Sequence, residues 1–241
     1  MKKEYWFVII TYISMQLSSI VGVPLFMLIG SSTGMTADEL QVKSAAYWIV
    51  FSFFVALSLI LFLMRKDMKE KMDRSTPASI PTSILWAFAG VFLALFAQSI
   101  AGYIEQMLGV ESESENTQQL ISLIYQVPIV IFVTSVIGPI LEEIIFRKII
   151  FGSLHKRFNF FISALLSSVI FGLAHGELEH LLLYSAMGFT FAFLYEKTGR
   201  ILVSMSAHIA MNTLVIIFQV VNRDDIEKML DTAQAFIGGL L

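Results

Sequence analysis

The stretch Gly138 to Ile150 reads GPILEEIIFRKII, two adjacent glutamates and an arginine set in an otherwise apolar run. Further on stand His175, in FGLAHGELEH, and then His208 and Asn212, in SMSAHIAMNTLV. These residue types suit hydrolysis. A glutamate beside a histidine in a partly dry site can take a proton from water. A second histidine with an amide can supply donors to a developing oxyanion. Glu142, His175, His208 and Asn212 are therefore the candidate catalytic residues, arranged as a peptide hydrolase without a covalent nucleophile. Glu143 and Arg147 are spaced i, i+4 and can pair on one helix face. That pairing leaves Glu142 about 100° round the helix, facing something else. A competing assembly uses Glu142, His175 and His208 as zinc ligands, since Glu with two His is a known set. No HExxH is present to strengthen it. No cofactor is otherwise expected, and the absence of cysteine excludes thiolate chemistry and disulfides.

These residues have to be held by something, and composition says what. Of 241 residues 56% are hydrophobic and only 15% charged, with mean hydropathy +0.76. Soluble domains carry about 25% charged residues. The net charge of −3 gives no footprint for nucleic acid. The expected fold is an all-α polytopic transmembrane bundle of about seven helices enclosing a polar cavity. The expected spans are 5–29, 44–64, 80–107, 120–150, 158–175, 178–195 and 201–221, against the ~20 residues that a bilayer core requires; the fourth is longer than one span and contains the charges. The first is read as a retained helix rather than a cleaved leader. Basic segments at Lys2–Lys3, Arg65–Arg74 and His155–Arg157 alternate with loops poor in Lys and Arg. The positive-inside rule then puts the N-terminus in the cytoplasm and the C-terminus outside. The whole of 1–241 is expected to be one integral membrane domain. Residues 1–118 form its N-terminal helices and loops, 119–221 the catalytic core, and 222–241 a tail with a short amphipathic helix.

Depth brings the candidates together. A charge at a helix centre costs roughly 2.5–3.5 kcal/mol on insertion scales, so the glutamate pair needs a reason to exist. Counted from the turn near Lys156–Phe158 at 1.5 Å per residue, Glu142 and His175 both lie roughly 22–26 Å along neighbouring antiparallel helices. Counted from the turn at Lys197–Arg200, His208 is about 12 Å deep and Asn212 about 18 Å. The levels differ, and helix tilt or an unequal turn would have to absorb the gap. The shared site is expected inside the membrane, nearer its cytoplasmic face.

Glu142-Glu143-x-x-x-Arg147, Phe171-x-x-x-His175 and His208-x-x-x-Asn212, in that order, resemble the motifs of the CAAX prenyl protease type II family. The family is also called Abi, or CPBP, for CAAX proteases and bacteriocin-processing enzymes. The resemblance covers about Ile129 to Val220. It implies an all-helical membrane endopeptidase in which Glu142 activates water with help from His175. His208 and Asn212 would hold the oxyanion, and Glu143 and Arg147 would support the site. It leaves metal dependence open. For a bacterial member it implies a short membrane-associated peptide or protein as substrate, of the bacteriocin or pheromone precursor type, with the lipid bilayer as the other partner.

Two other readings compete. A non-catalytic immunity or scaffold protein could use the same polar residues to bind a peptide partner. A transporter could use the glutamates as a proton relay, but that predicts repeat symmetry between halves, and the sequence has none.

Overall fold

The computed structural model describes residues 2–67, 76–111 and 114–221, and every regular element among them is helical. The expected tail helix and most of the basic Arg65–Arg74 loop lie outside the described residues. Helices α1 (Lys3–Leu17) and α2 (Ser19–Gly30) meet at a 47° bend. Ser18 makes the corner. Its hydroxyl donates to the Met15 carbonyl at 2.6 Å and accepts from Trp48 Nε1 at 3.0 Å. Gly22 lets the Trp48 ring lie against α2, since a Cβ there would fall 1.9 Å from the ring.

Next come α3 (Ala37–Met64) and α4 (Ile80–Met107). Thr36 and Ser79 cap them, each side chain accepting an orphan backbone N–H of the first turn. The amphipathic α5 (Glu115–Gln126) follows. It stops at Val127–Pro128, because proline lacks the N–H and pushes its predecessor out of the helical region. The chain then runs through α6 (Val130–Phe132), a π-helical turn π1 (Val133–Ile137), α7 (Gly138–Glu142), a nine-residue π-helix π2 (Glu143–Phe151) and α8 (Gly152–His155). Three helices complete the bundle: α9 (Phe160–Leu173), α10 (Leu181–Thr198) and α11 (Ile201–Val221).

The structure corrects the expected count of about seven spans. Among the described residues α3, α4 and α11 are long and apolar enough to cross a bilayer, and the bent α1–α2 pair is at most a fourth. The protein is a multi-pass membrane protein, but the predicted 120–150 span is broken at Pro128 and rewound into π turns. The predicted 158–175 span contains a helix of only 14 residues. The predicted 178–195 span is shifted to Leu181–Thr198 and carries Glu196 and Lys197 in its last turn.

Small residues allow the short helices to pack tightly. Ser163, Ala164, Ser167, Ser168 and Gly172 of α9 are buried, with Gly188 and Ala192 of α10 buried opposite. A Cβ at Gly188 would meet the Ser168 backbone at 3.1 Å and Phe171 at 3.2 Å. Ser167 donates to the Phe146 carbonyl at 2.7 Å, satisfying a backbone group within π2. Polar ties fix the two ends. At one end Lys2 and Tyr5 hold Asp67, and Arg200 Nε donates to the Ala78 carbonyl at 2.8 Å. At the other, Glu105 of α4 accepts from the Leu183 N–H at 2.8 Å and pairs with His180 at 3.1 Å. Gly188→Val should overpack the α9–α10 seam and destabilise the fold by about 1–3 kcal/mol. A lower thermal midpoint in detergent checks this.

Candidate active site

The site is built where π2 meets α11. Glu142 closes α7 and Glu143 opens π2, so the glutamate pair sits on the junction between the two helix types. π-Helical turns are rare and concentrate at functional sites. Their wider turn advances less per residue, and this explains part of the depth mismatch read from the sequence. Residues 143–151 climb less than a regular helix would, which brings Glu142 closer to the level of His208.

Glu143 and Arg147 have no exposed side-chain surface, and the Arg147 guanidinium lies 3.3 Å from Glu143 Oε1. The i, i+4 pair expected from the sequence is formed. Arg147 lies over the Phe171 ring at 4.8 Å and the Phe191 ring at 5.7 Å, so aromatic faces cover part of its charge. Its Nε and Nη1 are buried without hydrogen-bond partners among the described residues. His208 comes in from α11 and stacks on Phe191, ring centroids 4.3 Å apart. Its Nδ1 lies 3.2 Å from Glu143 Oε1 and its Nε2 lies 3.6 Å from Glu142 Oε2. One imidazole therefore stands between both carboxylates. With Nδ1–H donated to Glu143, a second proton on Nε2 would face Glu142 and bring the four side chains to zero net charge. The Glu142 side chain is 19% exposed, so it is the carboxylate of the pair that water can reach.

His175 follows the end of α9. Its Nδ1 lies 2.8 Å from the Phe171 carbonyl. A carbonyl can only accept, so Nδ1 carries hydrogen and a neutral ring leaves Nε2 as its basic nitrogen. Phe171 touches both histidines, at 4.6 Å from His175 and 6.1 Å from His208. Among the described residues His175 makes no hydrogen bond or ion pair to Glu142; the structure joins Glu142 to His208 instead. Asn212 lies one turn beyond His208 on the same helix and is half-buried. No three His, Asp or Glu side chains converge as metal ligands among the described residues. Glu142, His175 and His208 are thus not gathered as a zinc set, and both His208 nitrogens already face carboxylates.

Sequence reasoning missed the polar residues that surround His175. Glu177 accepts from the Ser114 hydroxyl at 2.8 Å, the Asn116 N–H at 2.9 Å and the Tyr184 hydroxyl at 2.7 Å. The cluster of polar residues in HGELEH was a visible signal; its partners, about 60 residues upstream, were not. Burial pushes the Glu177 carboxyl up, but these three hydrogen bonds and the nearby His180 outweigh it and hold it below its ordinary value.

A family model described as type II CAAX prenyl endopeptidase Rce1-like matches residues 124–214. The chain is 50% identical over 242 residues to a candidate membrane peptidase, YdiL of Bacillus subtilis (strain 168), covering 100% of this chain and 99% of YdiL. It is 32% identical over 192 residues to the membrane-embedded CAAX protease MroQ of Staphylococcus aureus (strain USA300), covering 77% of this chain and 78% of MroQ. The chain belongs to the type II CAAX prenyl endopeptidase family. As a member of that family it is a membrane-embedded protease, as the three ordered motifs implied. A weaker similarity, 28% over 132 residues, links it to the UPF0177 protein YxdF of Lactococcus lactis subsp. lactis (strain IL1403), covering 54% of this chain and 73% of YxdF. No solved structure matches.

Two predictions follow from this candidate site and its surroundings. Arg147→Met leaves a buried carboxylate without its main partner and should destabilise by about 3–5 kcal/mol. Adding Glu143→Gln should recover part of that loss, as a double-mutant cycle on thermal midpoints would show. The second concerns pH. The Glu177 carboxyl is depressed in the folded state, so its contribution to stability is complete above the ordinary carboxylate value of about 4.3. It is lost as pH falls through the lower folded value. Glu177→Gln should therefore reduce stability at neutral pH and flatten the acid limb of a midpoint-versus-pH curve.

Proposed function

We propose that the site hydrolyses a peptide bond in a short membrane-associated peptide or protein, of the bacteriocin or pheromone precursor type, with Glu142 as the base that activates water. The observation that carries this reading is the imidazole of His208 held between two carboxylates of unequal exposure. Glu143 is fully buried against Arg147 and His208, which suits a positioning role. Glu142 is partly open, which suits contact with water and substrate.

The reaction would run as follows. Glu142 takes a proton from water, and the water oxygen bonds to the scissile carbonyl carbon. The carbonyl electron pair moves onto its oxygen, where His208 Nε2–H and the Asn212 amide donate to it. The C–N bond then breaks, and the proton held by Glu142 passes to the leaving amine. His175 assists with the basic Nε2 left free by its bond to the Phe171 carbonyl. The 32% identity of this chain to MroQ, a membrane-embedded CAAX protease, supports the reading. No step calls for a metal.

The proposed orientation has the N-terminus in the cytoplasm and the C-terminus outside. The basic residues near the α1 start, the α3 end and the α10–α11 turn support it. His208 lies seven residues into α11, about 10 Å from the basic turn at Lys197–Arg200. That supports an active site nearer the cytoplasmic face.

Purified protein incubated with membrane-associated peptides, with products read by mass spectrometry, tests the assignment. Glu142→Gln should abolish cleavage while leaving the thermal midpoint near wild type. Glu143→Gln should lower both activity and midpoint. Equal loss of folded protein in both variants would refute the division of labour, and full activity of Glu142→Gln would refute the mechanism.

A further inference from the structure

The catalytic reading uses His175 but does not explain what holds it. The residue stands just beyond the end of α9, in a seven-residue connection to α10 that includes Gly176 at φ +78°. A histidine on such a connection has two soft side-chain torsions, and its backbone keeps one bond to α9, from its N–H to the Gly172 carbonyl at 3.1 Å. The structure nevertheless surrounds it with contacts from two other elements.

The imidazole of His175 stacks on the phenol ring of Tyr184, one turn into α10, with centroids 4.0 Å apart and planes 20° from parallel. The Tyr184 hydroxyl donates to Glu177 at 2.7 Å, so the ring under the histidine is itself held. Glu177 in turn sits on the N-terminus of α5. It accepts from the Ser114 hydroxyl, whose oxygen also caps α5 by accepting from the Thr117 N–H at 3.1 Å, and from the Asn116 N–H. A carboxylate is well placed there, since a helix N-terminus presents unpaired N–H groups and positive potential. The Asn116 side chain closes the loop, donating to the His175 carbonyl at 2.8 Å. The connection is pinned at its far end as well, where His180 pairs with the buried Glu105 of α4.

We propose that Tyr184 and Glu177 are positioning residues for His175, forming with the N-terminus of α5 a clamp that sets the plane of the imidazole. The proposal rests on the reading of His175 as part of the proteolytic site. Tyr184 fixes the ring through its face. Glu177 fixes Tyr184 and the connection through one carboxylate, and Asn116 fixes the histidine backbone. The remaining degree of freedom is closed by the Phe171 carbonyl on Nδ1. The amphipathic α5 thereby gains a function beyond covering the bundle: its first turn carries the geometry of a catalytic histidine.

The chain has four histidines, so protein labelled with ¹³C at histidine gives a spectrum simple enough to follow His175, assigned by its loss in His175→Gln. Wild type, Tyr184→Phe, Tyr184→Leu, Glu177→Gln and Glu142→Gln would be compared in detergent, by imidazole resonance and by kcat and KM on a cleaved peptide. In wild type the His175 ring protons should be displaced upfield by the stacked phenol. Tyr184→Leu should abolish that displacement and lower kcat by up to about 100-fold with KM unchanged. Tyr184→Phe should keep the displacement and lose less activity, whereas a packing role alone would lower the thermal midpoint of Tyr184→Leu without lowering kcat in the folded protein. Glu177→Gln should broaden or shift the same resonance. If Tyr184→Leu fails to fold, Tyr184→Phe and Glu177→Gln decide the matter through the His175 resonance and kcat. A His175 resonance unmoved in Glu177→Gln or in folded Tyr184→Leu, or wild-type kcat in a folded Tyr184→Leu protein while Glu142→Gln is dead, overturns the clamp alone. Wild-type kcat in Glu142→Gln overturns the proteolytic site and the clamp's purpose with it, even where the resonance reports the stacking.

Discussion

Two carboxylates set among apolar helices, Glu143 wholly buried and Glu142 partly open, are the constraint on which the rest of the structure depends. An uncompensated charge at that depth costs several kcal/mol, so the fold must bring polar partners to Glu142 and Glu143. It supplies one from the same helix and one from another. Arg147 comes one turn later in π2, and His208 comes from α11, 61 residues downstream of Arg147. Locally the first pairing needs only helical spacing. The second requires the whole C-terminal hairpin of α10 and α11 to dock against π2. Charge compensation and tertiary structure are therefore the same event here. A chain that failed to seat α11 would leave Glu143 with Arg147 alone.

The aromatic residues belong to this same constraint. Phe171 and Phe191 lie against Arg147, and each also touches a histidine. They exclude water from the buried pair while presenting ring faces that tolerate a cation. Packing behind them is close because α9 and α10 bring serine, alanine and glycine to their contact. In lipid, where apolar contact alone gives little preference for one helix arrangement over another, such small-residue seams let backbones approach closely.

Much of the site was legible in the sequence. The pairing of Glu143 with Arg147 follows from spacing alone, and three ordered motifs in apolar segments were enough to imply the family. The partner of Glu142 was not legible, because regular-helix counting puts His175 at its level and His208 roughly 10 Å shallower. The span count failed for a related reason. Hydropathy counts apolar residues and is blind to whether they face lipid or protein, so the short, densely packed α9 and the Pro128-broken 120–150 stretch read as full spans. The Glu177 clamp lay hidden because Ser114 and Asn116 belong to a polar stretch at the start of α5 that gives no sign of which carboxylate it meets.

The π-helix carries a further consequence, for how this region can change over evolutionary time. A π turn closes its hydrogen bond over one more residue than an α turn, so π2 behaves as a helix that has absorbed extra length without breaking. Deleting a single residue between Glu143 and Phe151 would let a turn relax to α geometry. The elements after it, α9 and His175 among them, would stay near their present face, because an α turn completes its revolution with fewer residues than a π turn. A residue can therefore be lost after Arg147 with less disturbance than in a regular helix, whereas a loss between Glu143 and Arg147 would break the spacing that pairs them.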